Sequence, residues 1–186
     1  METKNGKLEL ILGPMFAGKS TYVIAFIRRA RVINKLVLVI KPLIDNRSEL
    51  NRIVSHNKDS EECLIIDNLL NIDETLIKKY DIIVIDEGQF FVNLKTIVLN
   101  WVEKLNKHVI ISGLDGDFKR DSIGEINSLI PYADKYKKLT ALCKYCNDGT
   151  PALFSHRIDK DNAKQILIGS EESYVSLCRF HYCQNN

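Results

Sequence analysis

The sequence contains no long apolar run, no block of like charge and no internal repeat. Uninterrupted apolar segments such as Leu36–Ile40 stop after five residues, whereas a helix needs roughly 20 to cross a bilayer. No membrane partner is expected. The first ten residues, METKNGKLEL, lack the apolar core of a secretory signal, so a soluble, cytoplasmic protein is expected. Excess positive charge is also missing: 26 basic against 24 acidic residues leave a net +2. A polynucleotide partner ordinarily leaves a basic stripe, so nucleic acid is not expected as a partner either. What remains is ordinary globular composition, 45% hydrophobic and 27% charged, which excludes a disordered tail, a collagen-like repeat and a coiled-coil rod. At 186 residues and 21.3 kDa the chain suits one compact domain with a small appendage.

Short β-rich runs alternate with helical patterns. LELIL at 8–12 stops at Gly13, in the manner of a buried strand entering a turn. Residues 19–31 then carry Val23, Phe26, Ile27 and Ala30 on one helical face. LVLVI at 36–40 predicts a second buried strand, ended by Lys41-Pro42. IIVID at 82–86 predicts a third and residues 109–112 a fourth, with Leu94, Val98, Trp101 and Leu105 marking a helix between them. Residues 43–61 are polar and read as loop. This alternation predicts an α/β fold, a mostly parallel sheet with helices on both faces. After about Leu139 cysteines and short polar segments dominate, which divides the chain into a larger unit, 1–140, and a small one, 141–186.

Gly13, Pro14, Met15, Phe16, Ala17, Gly18, Lys19 and Ser20 fit G-x-x-x-x-G-K-[ST] at every fixed position, between a predicted strand and a predicted helix. The glycines let backbone N–H groups curl around phosphate oxygens, and the helix N-terminus adds positive potential. Lys19 is expected to reach the β- and γ-phosphates, and the Ser20 hydroxyl to join a Mg²⁺ shell. A chance Gly-rich turn would not meet the strand, helix and spacing requirements together. IIVID ends at Asp86, followed by Glu87. An acid at the carboxyl end of a buried strand beside a phosphate loop is placed to hold Mg²⁺ through water. Glu87 has no such duty and can take a proton from an attacking oxygen. Without the phosphate loop the pair would read as two solvated acids closing a strand.

Five cysteines, an odd number, are unevenly placed: Cys63 alone, then Cys143, Cys146, Cys178 and Cys183. Cys143-x-x-Cys146 and Cys178-x-x-His181 form two pairs separated by 31 residues. Such pairs suit tetrahedral zinc, and four protein ligands make a closed, structural site. His181 competes with Cys183 for the fourth place; the repeated x₂ spacing favours His181. Cys63, in the apolar stretch CLII, reads as a small buried hydrophobe.

GPMFAGKS, DEGQFF, GLDGDF and the paired C-x-x-C/C-x-x-H, in this order, closely resemble type II thymidine kinases, the short zinc-bearing enzymes of cells and large DNA viruses. The resemblance spans about residue 8 to residue 183, and the short C-terminus is more similar to the viral or bacterial versions. It implies a RecA-like P-loop core with a zinc-binding lasso, and ATP-dependent phosphorylation of deoxythymidine to its 5′-monophosphate. Under it Glu87 resembles the base that deprotonates the 5′-hydroxyl. Phe90 resembles an aromatic wall against thymine, although pattern alone would place Phe90 and Phe91 in the core. Met15 and Leu114 resemble further pocket lining, and Phe118 closes GLDGDF at a matching place. Arg47, with Asp45 beside it, resembles a basic residue near the transferred phosphate. Residues 153–178 resemble a lasso over the nucleoside, Tyr174 a tyrosine of that loop, and Ser155 aligns where threonine is expected near the thymine methyl. A homotetramer and feedback by thymidine triphosphate are further implications.

Two other readings compete. A P-loop ATPase of the motor or helicase class explains 13–20 and 86–87 equally well, but leaves GLDGDF and the cysteine pairs unexplained. A nucleic-acid-binding zinc ribbon explains only the cysteines, and its region carries too little Lys and Arg. His56 and His156 receive no assignment.

Overall fold

A computed structural model of the chain describes residues 5–45, 51–55, 58–158, 165–166 and 172–185. β1 (Lys7–Leu12) leads through a tight loop into α1 (Lys19–Val32), and β2 (Val37–Pro42) follows. A hairpin of β3 (Arg52–Val54) and β4 (Ser60–Glu62) precedes β5 (Leu64–Ile66). Then come α2 (Glu74–Lys79), β6 (Ile82–Ile85), α3 (Leu94–Leu99), β7 (His108–Gly113) and β8 (Lys135–Lys138). Beyond them β9 (Ala141–Leu142) pairs with β10 (Pro151–Ala152), β11 (Phe154–Arg157) pairs with β12 (Tyr174–Leu177), and α4 (Arg179–Asn185) ends the chain.

Six strands form one sheet in the order β5-β2-β6-β7-β1-β8, with every neighbouring pair parallel. The fold class expected from the alternating pattern is therefore present. Side chains alternate across the sheet, as strand geometry requires. Leu8, Leu10, Leu12, Leu38, Ile40, Ile83, Ile85, Val109 and Ile111 pack on one face with α3 and its neighbours. Ile11, Val37, Val39, Ile82, Val84 and Ile110 meet Val23, Ile24, Ile27 and Ala30 of α1 on the other. Among the described residues no helix is long and apolar enough to cross a membrane.

Three elements differ from the sequence expectation. β2 continues through Pro42 because proline sits at the last rung, where only its carbonyl side is needed. The span 43–61, expected as loop, contains β3 and β4. Their stability is tertiary: Ile53 is buried against the α1 layer, and Arg28 and Arg31 pair with Glu61. β8 reads KYKK and is exposed throughout, so no apolar pattern betrays it. It is held at the sheet edge by backbone bonds from Asp134 to Leu8 and from Leu139 to Leu12, 2.9 and 2.7 Å, and edge lysines discourage further pairing.

A separate small core holds Ala141, Cys143, Ala152, Leu177, Cys178 and Tyr182, with Ala17 of the β1–α1 loop packed against it. The large core carries the stability. Leu10 has no exposed surface and packs within the large core, so Leu10→Ala is expected to lower unfolding free energy by about 2–5 kcal/mol in denaturant titration.

Candidate active site

Parallel register brings the strand ends together. Leu12 is level with Gly113, and Ile85 with Ile111, so the loops after β1, β6 and β7 emerge side by side. The loop after β1 needs its glycines. At Gly13, φ is +153° and a Cβ would lie 2.4 Å from the Leu139 carbonyl oxygen. At Gly18, where α1 begins, φ is +75°, a conformation that side chains resist. Lys19 is buried and its Nζ donates to the carbonyls of Pro14 and Gly13, at 2.8 and 3.3 Å.

Asp86 sits where β6 ends. Ser112 Oγ donates to its Oδ1 at 2.5 Å and Ser20 Oγ to its Oδ2 at 3.4 Å. Burial, reinforced by the charge of Glu87, outweighs the Ser112 hydrogen bond and pushes the Asp86 carboxyl up to about 6. Glu87 is buried and has left-handed backbone, φ 50°. Such a conformation in a non-glycine residue is a strained one, of the kind that collects at functional sites. Gln89 Nε2 donates to Glu87 Oε2 at 2.6 Å, while Gln89 Oε1 accepts from the Leu114 N–H at 3.0 Å. One amide thus ties the loop after β6 to the loop after β7.

These loops border a cavity of about 1170 Å³, larger than most single-ligand pockets and ample for two substrates. Met15, Phe16, Ala17, Gly18, Lys19, Ser20, Asp86 and Glu87 line it, together with Phe90, Leu114, Phe118, Ser155 and Tyr174. Gly13 and Pro14 are buried. The adjacent phenylalanines separate: Phe91 is core and Phe90 faces the cavity. Ser155 lies on β11, where its Oγ accepts the Met15 N–H at 3.0 Å, so it joins the ribbon to the phosphate loop. Arg47 and His56 lie outside the described residues.

Several lining or supporting residues carry no sequence signal. Lys41 and Asp45 form a buried pair at 3.4 Å on the cavity wall. Gln89 and Ser112 hold the two acids. Arg157 places its guanidinium 3.9 Å from the Phe118 ring centre and donates to the Tyr174 hydroxyl at 2.6 Å. Of Lys41, Asp45, Gln89, Ser112 and Arg157, only Asp45, beside Arg47, and Gln89, inside DEGQFF, lie in segments that the sequence singles out. Cys63 is half-buried, and burial pushes its thiol up to about 11, in keeping with a packing residue.

The Cys143, Cys146 and Cys178 sulfurs and a His181 ring nitrogen all lie within 4.8 Å of one another. Cys146 and Cys178 Sγ are 3.8 Å apart, and His181 Nδ1 lies 3.5, 3.3 and 3.5 Å from the three sulfurs. Ligands about 2.3 Å (S) and 2.0 Å (N) from a tetrahedral zinc would be separated by about 3.8 and 3.5 Å, so the set fits that ion. The chemistry agrees. Burial opposes ionisation of Cys143, but backbone N–H groups of Cys178 and Cys146 and the His181 side chain outweigh it and bring it down to about 6. Cys146 is pushed up to about 11 by burial and by its neighbouring thiols. A zinc ion held here would require these thiols as thiolates and the imidazole neutral. Cys183 is exposed and outside the group.

A phosphate loop at a strand–helix junction, an acid pair at the end of β6, two places away from β1 in the sheet, and an aromatic-lined cavity define a P-loop phosphotransferase in class. A family model for thymidine kinase matches residues 6–182. The chain is similar to a thymidine kinase of Mycoplasma genitalium, 36% identical over 184 residues, covering 97% of this chain and 85% of that one. It is also similar to one of Oryza sativa subsp. japonica, 37% identical over 185 residues, covering 95% and 66%. The chain belongs to the thymidine kinase family. The motor-type ATPase reading is not favoured.

Asp86 carries a stability cost that substitution reveals. Its folded-state value lies above that of an unfolded aspartate, so stability falls as pH rises from about 4 to about 6 and the loss is complete above that window. Asp86→Asn, measured without added magnesium, is expected to stabilise the protein by about 2–3 kcal/mol at pH 7. The gain should vanish near pH 4 in thermal melts; a pH-independent difference would contradict the buried-charge account.

Proposed function

We propose that the chain transfers the γ-phosphoryl group of ATP to the 5′-hydroxyl of deoxythymidine, giving thymidine 5′-monophosphate. The observation that carries the reading is Glu87, a buried carboxylate that lines the same cavity as the phosphate loop and the aromatic side chains. Lys19 and the loop amides offset charge on the β- and γ-phosphates. Ser20 and Asp86 would hold Mg²⁺, which when bound neutralises charge on those phosphates. Glu87 accepts the hydroxyl proton as the new O–P bond forms and the bond to the ADP oxygen breaks. Gln89 keeps the carboxylate aimed. Met15, Phe90, Leu114, Phe118, Ser155 and Tyr174 enclose the nucleoside. Arg47 serves in the same reading beside the transferred phosphate.

Residues 141–186 act in this reading as a lid unit on a 1–140 core. Cys143, Cys146, Cys178 and His181 hold a structural zinc that ties both ends of the intervening segment together. A lid matters because water would otherwise compete for the phosphoryl group. The family resemblance further supports a cytoplasmic homotetramer with thymidine triphosphate as feedback ligand.

Phosphorylation rates across the common nucleosides with ATP and magnesium test the reading, and brisk nucleoside-independent ATP hydrolysis would sink it. Within that assay Glu87→Gln should lower thymidine turnover by about 10²-fold or more, the scale of a lost general base, while leaving ATP binding intact. Turnover within threefold of the parent would remove Glu87 from the role.

The metal assignment predicts about one zinc per chain by metal analysis. Cys178→Ser and His181→Ala should lose it and raise the thymidine KM, whereas Cys183→Ser should keep both at parent values. Full zinc in His181→Ala with none in Cys183→Ser would reverse the assignment.

A further inference from the structure

Tyr182 directly follows the candidate ligand His181 on α4 and is 3% exposed. Its hydroxyl donates to the main-chain carbonyl of Phe118 at 2.6 Å, across 64 residues of sequence. Its ring is packed, not dangling. The Phe154 ring centre lies 5.0 Å away, the Arg120 guanidinium 4.8 Å, and the His156 ring meets it edge-on at 6.2 Å.

Phe118 sits in a tight turn of the loop after β7. The Asp117 carboxylate accepts from the N–H groups of Lys119 and Asp121, at 2.7 and 2.9 Å, and Arg120 N–H donates to the Asp117 carbonyl at 3.0 Å. That turn is internally closed, but these bonds fix its shape and not its place. From outside, Gln165 Nε2 donates to Asp117 Oδ2 at 3.0 Å, and the Tyr182 hydroxyl reaches the Phe118 carbonyl from the metal-bearing unit. The Phe118 ring lines the cavity and stacks under Arg157, which in turn holds the Tyr174 hydroxyl.

We propose that Tyr182 is a positioning residue for nucleoside binding, clamping the Phe118 main chain to the metal-tied α4. The inference rests on the reading of Phe118 as part of the nucleoside wall. It gives the metal a route to substrate affinity through the loop after β7, separate from the anchoring of residues 147–177. A metal that fixes α4 fixes the clamp, and the clamp fixes one wall of the cavity.

Tyr182→Phe keeps the ring and removes only the hydroxyl. The variant should bind about one zinc per chain and melt near the parent temperature. Its thymidine KM, and its thymidine Kd by calorimetry, should rise about fivefold, the scale of one neutral hydrogen bond. Its kcat and its KM for ATP should stay within about twofold, a split that general loosening of the fold would not give. Unchanged thymidine affinity, loss of zinc, or an equal loss in both substrates would each overturn the clamp. Phe118→Ala separates the two levels. If it leaves thymidine affinity unchanged, the pocket reading itself fails. If it weakens thymidine binding while Tyr182→Phe does not, the pocket stands and the clamp falls.

Discussion

Parallel register between β1, β6 and β7 is the constraint from which the site follows. Side-by-side strands running the same way must all release their chains at one edge, so three loops distant in sequence are forced into contact. The phosphate loop, the Asp86-Glu87 pair and the end of β7 at Ser112–Leu114 meet there without any local sequence signal joining them. Hydrogen bonds then fix the meeting at side-chain scale: Ser112 and Ser20 on Asp86, and Gln89 between Glu87 and Leu114. A one-residue slip of β6 against β7 would turn Asp86 to the opposite face of the sheet.

Stability is spent at this edge. Asp86 is a buried acid raised by desolvation and by Glu87, Lys41 and Asp45 are a buried ion pair, and Glu87 sits in left-handed backbone. Buried ion pairs contribute little net stability, and a strained residue persists only where its surroundings determine it. The two-faced aliphatic core below supplies that surplus, through strands whose inward residues are almost wholly buried. The arrangement of rigid sheet and charged rim is what an electrostatic phosphoryl-transfer site needs, because its dipoles must be in place before the charge develops.

The central fold was legible because its signals are local. Continuous β-branched runs mark strands buried on both faces, and GPMFAGKS fits a motif whose spacing is imposed by the phosphate it encloses. The carboxyl end of IIVID likewise announced Asp86 and Glu87. The hairpin at 52–62 and the strand KYKK were not legible, since each is held by long-range partners and not by its own pattern. Residues such as Ser112, Lys41 and Arg157 matter only through what the fold sets beside them. Phe90 and Phe91 show the same limit at one position: pattern alone places both rings in the core, and only the family resemblance turns Phe90 towards the cavity that it lines.

The small C-terminal unit depends on a different kind of force. Its core of Ala141, Cys143, Ala152, Leu177, Cys178 and Tyr182 is too slight to hold a fold by burial alone. Two of those six side chains belong to the cysteine–histidine group that could hold a metal ion, and coordination there would stand in for the missing apolar volume. Among the described residues it nonetheless meets the large core at the loops after β1 and β7. Ala17 packs on it while Ser155 takes the Met15 N–H, and Tyr182 takes the Phe118 carbonyl. The first contact is on the loop after β1 and the second on the loop after β7, which emerges beside it. Because both loops line one cavity, the C-terminal core reaches that cavity by two routes.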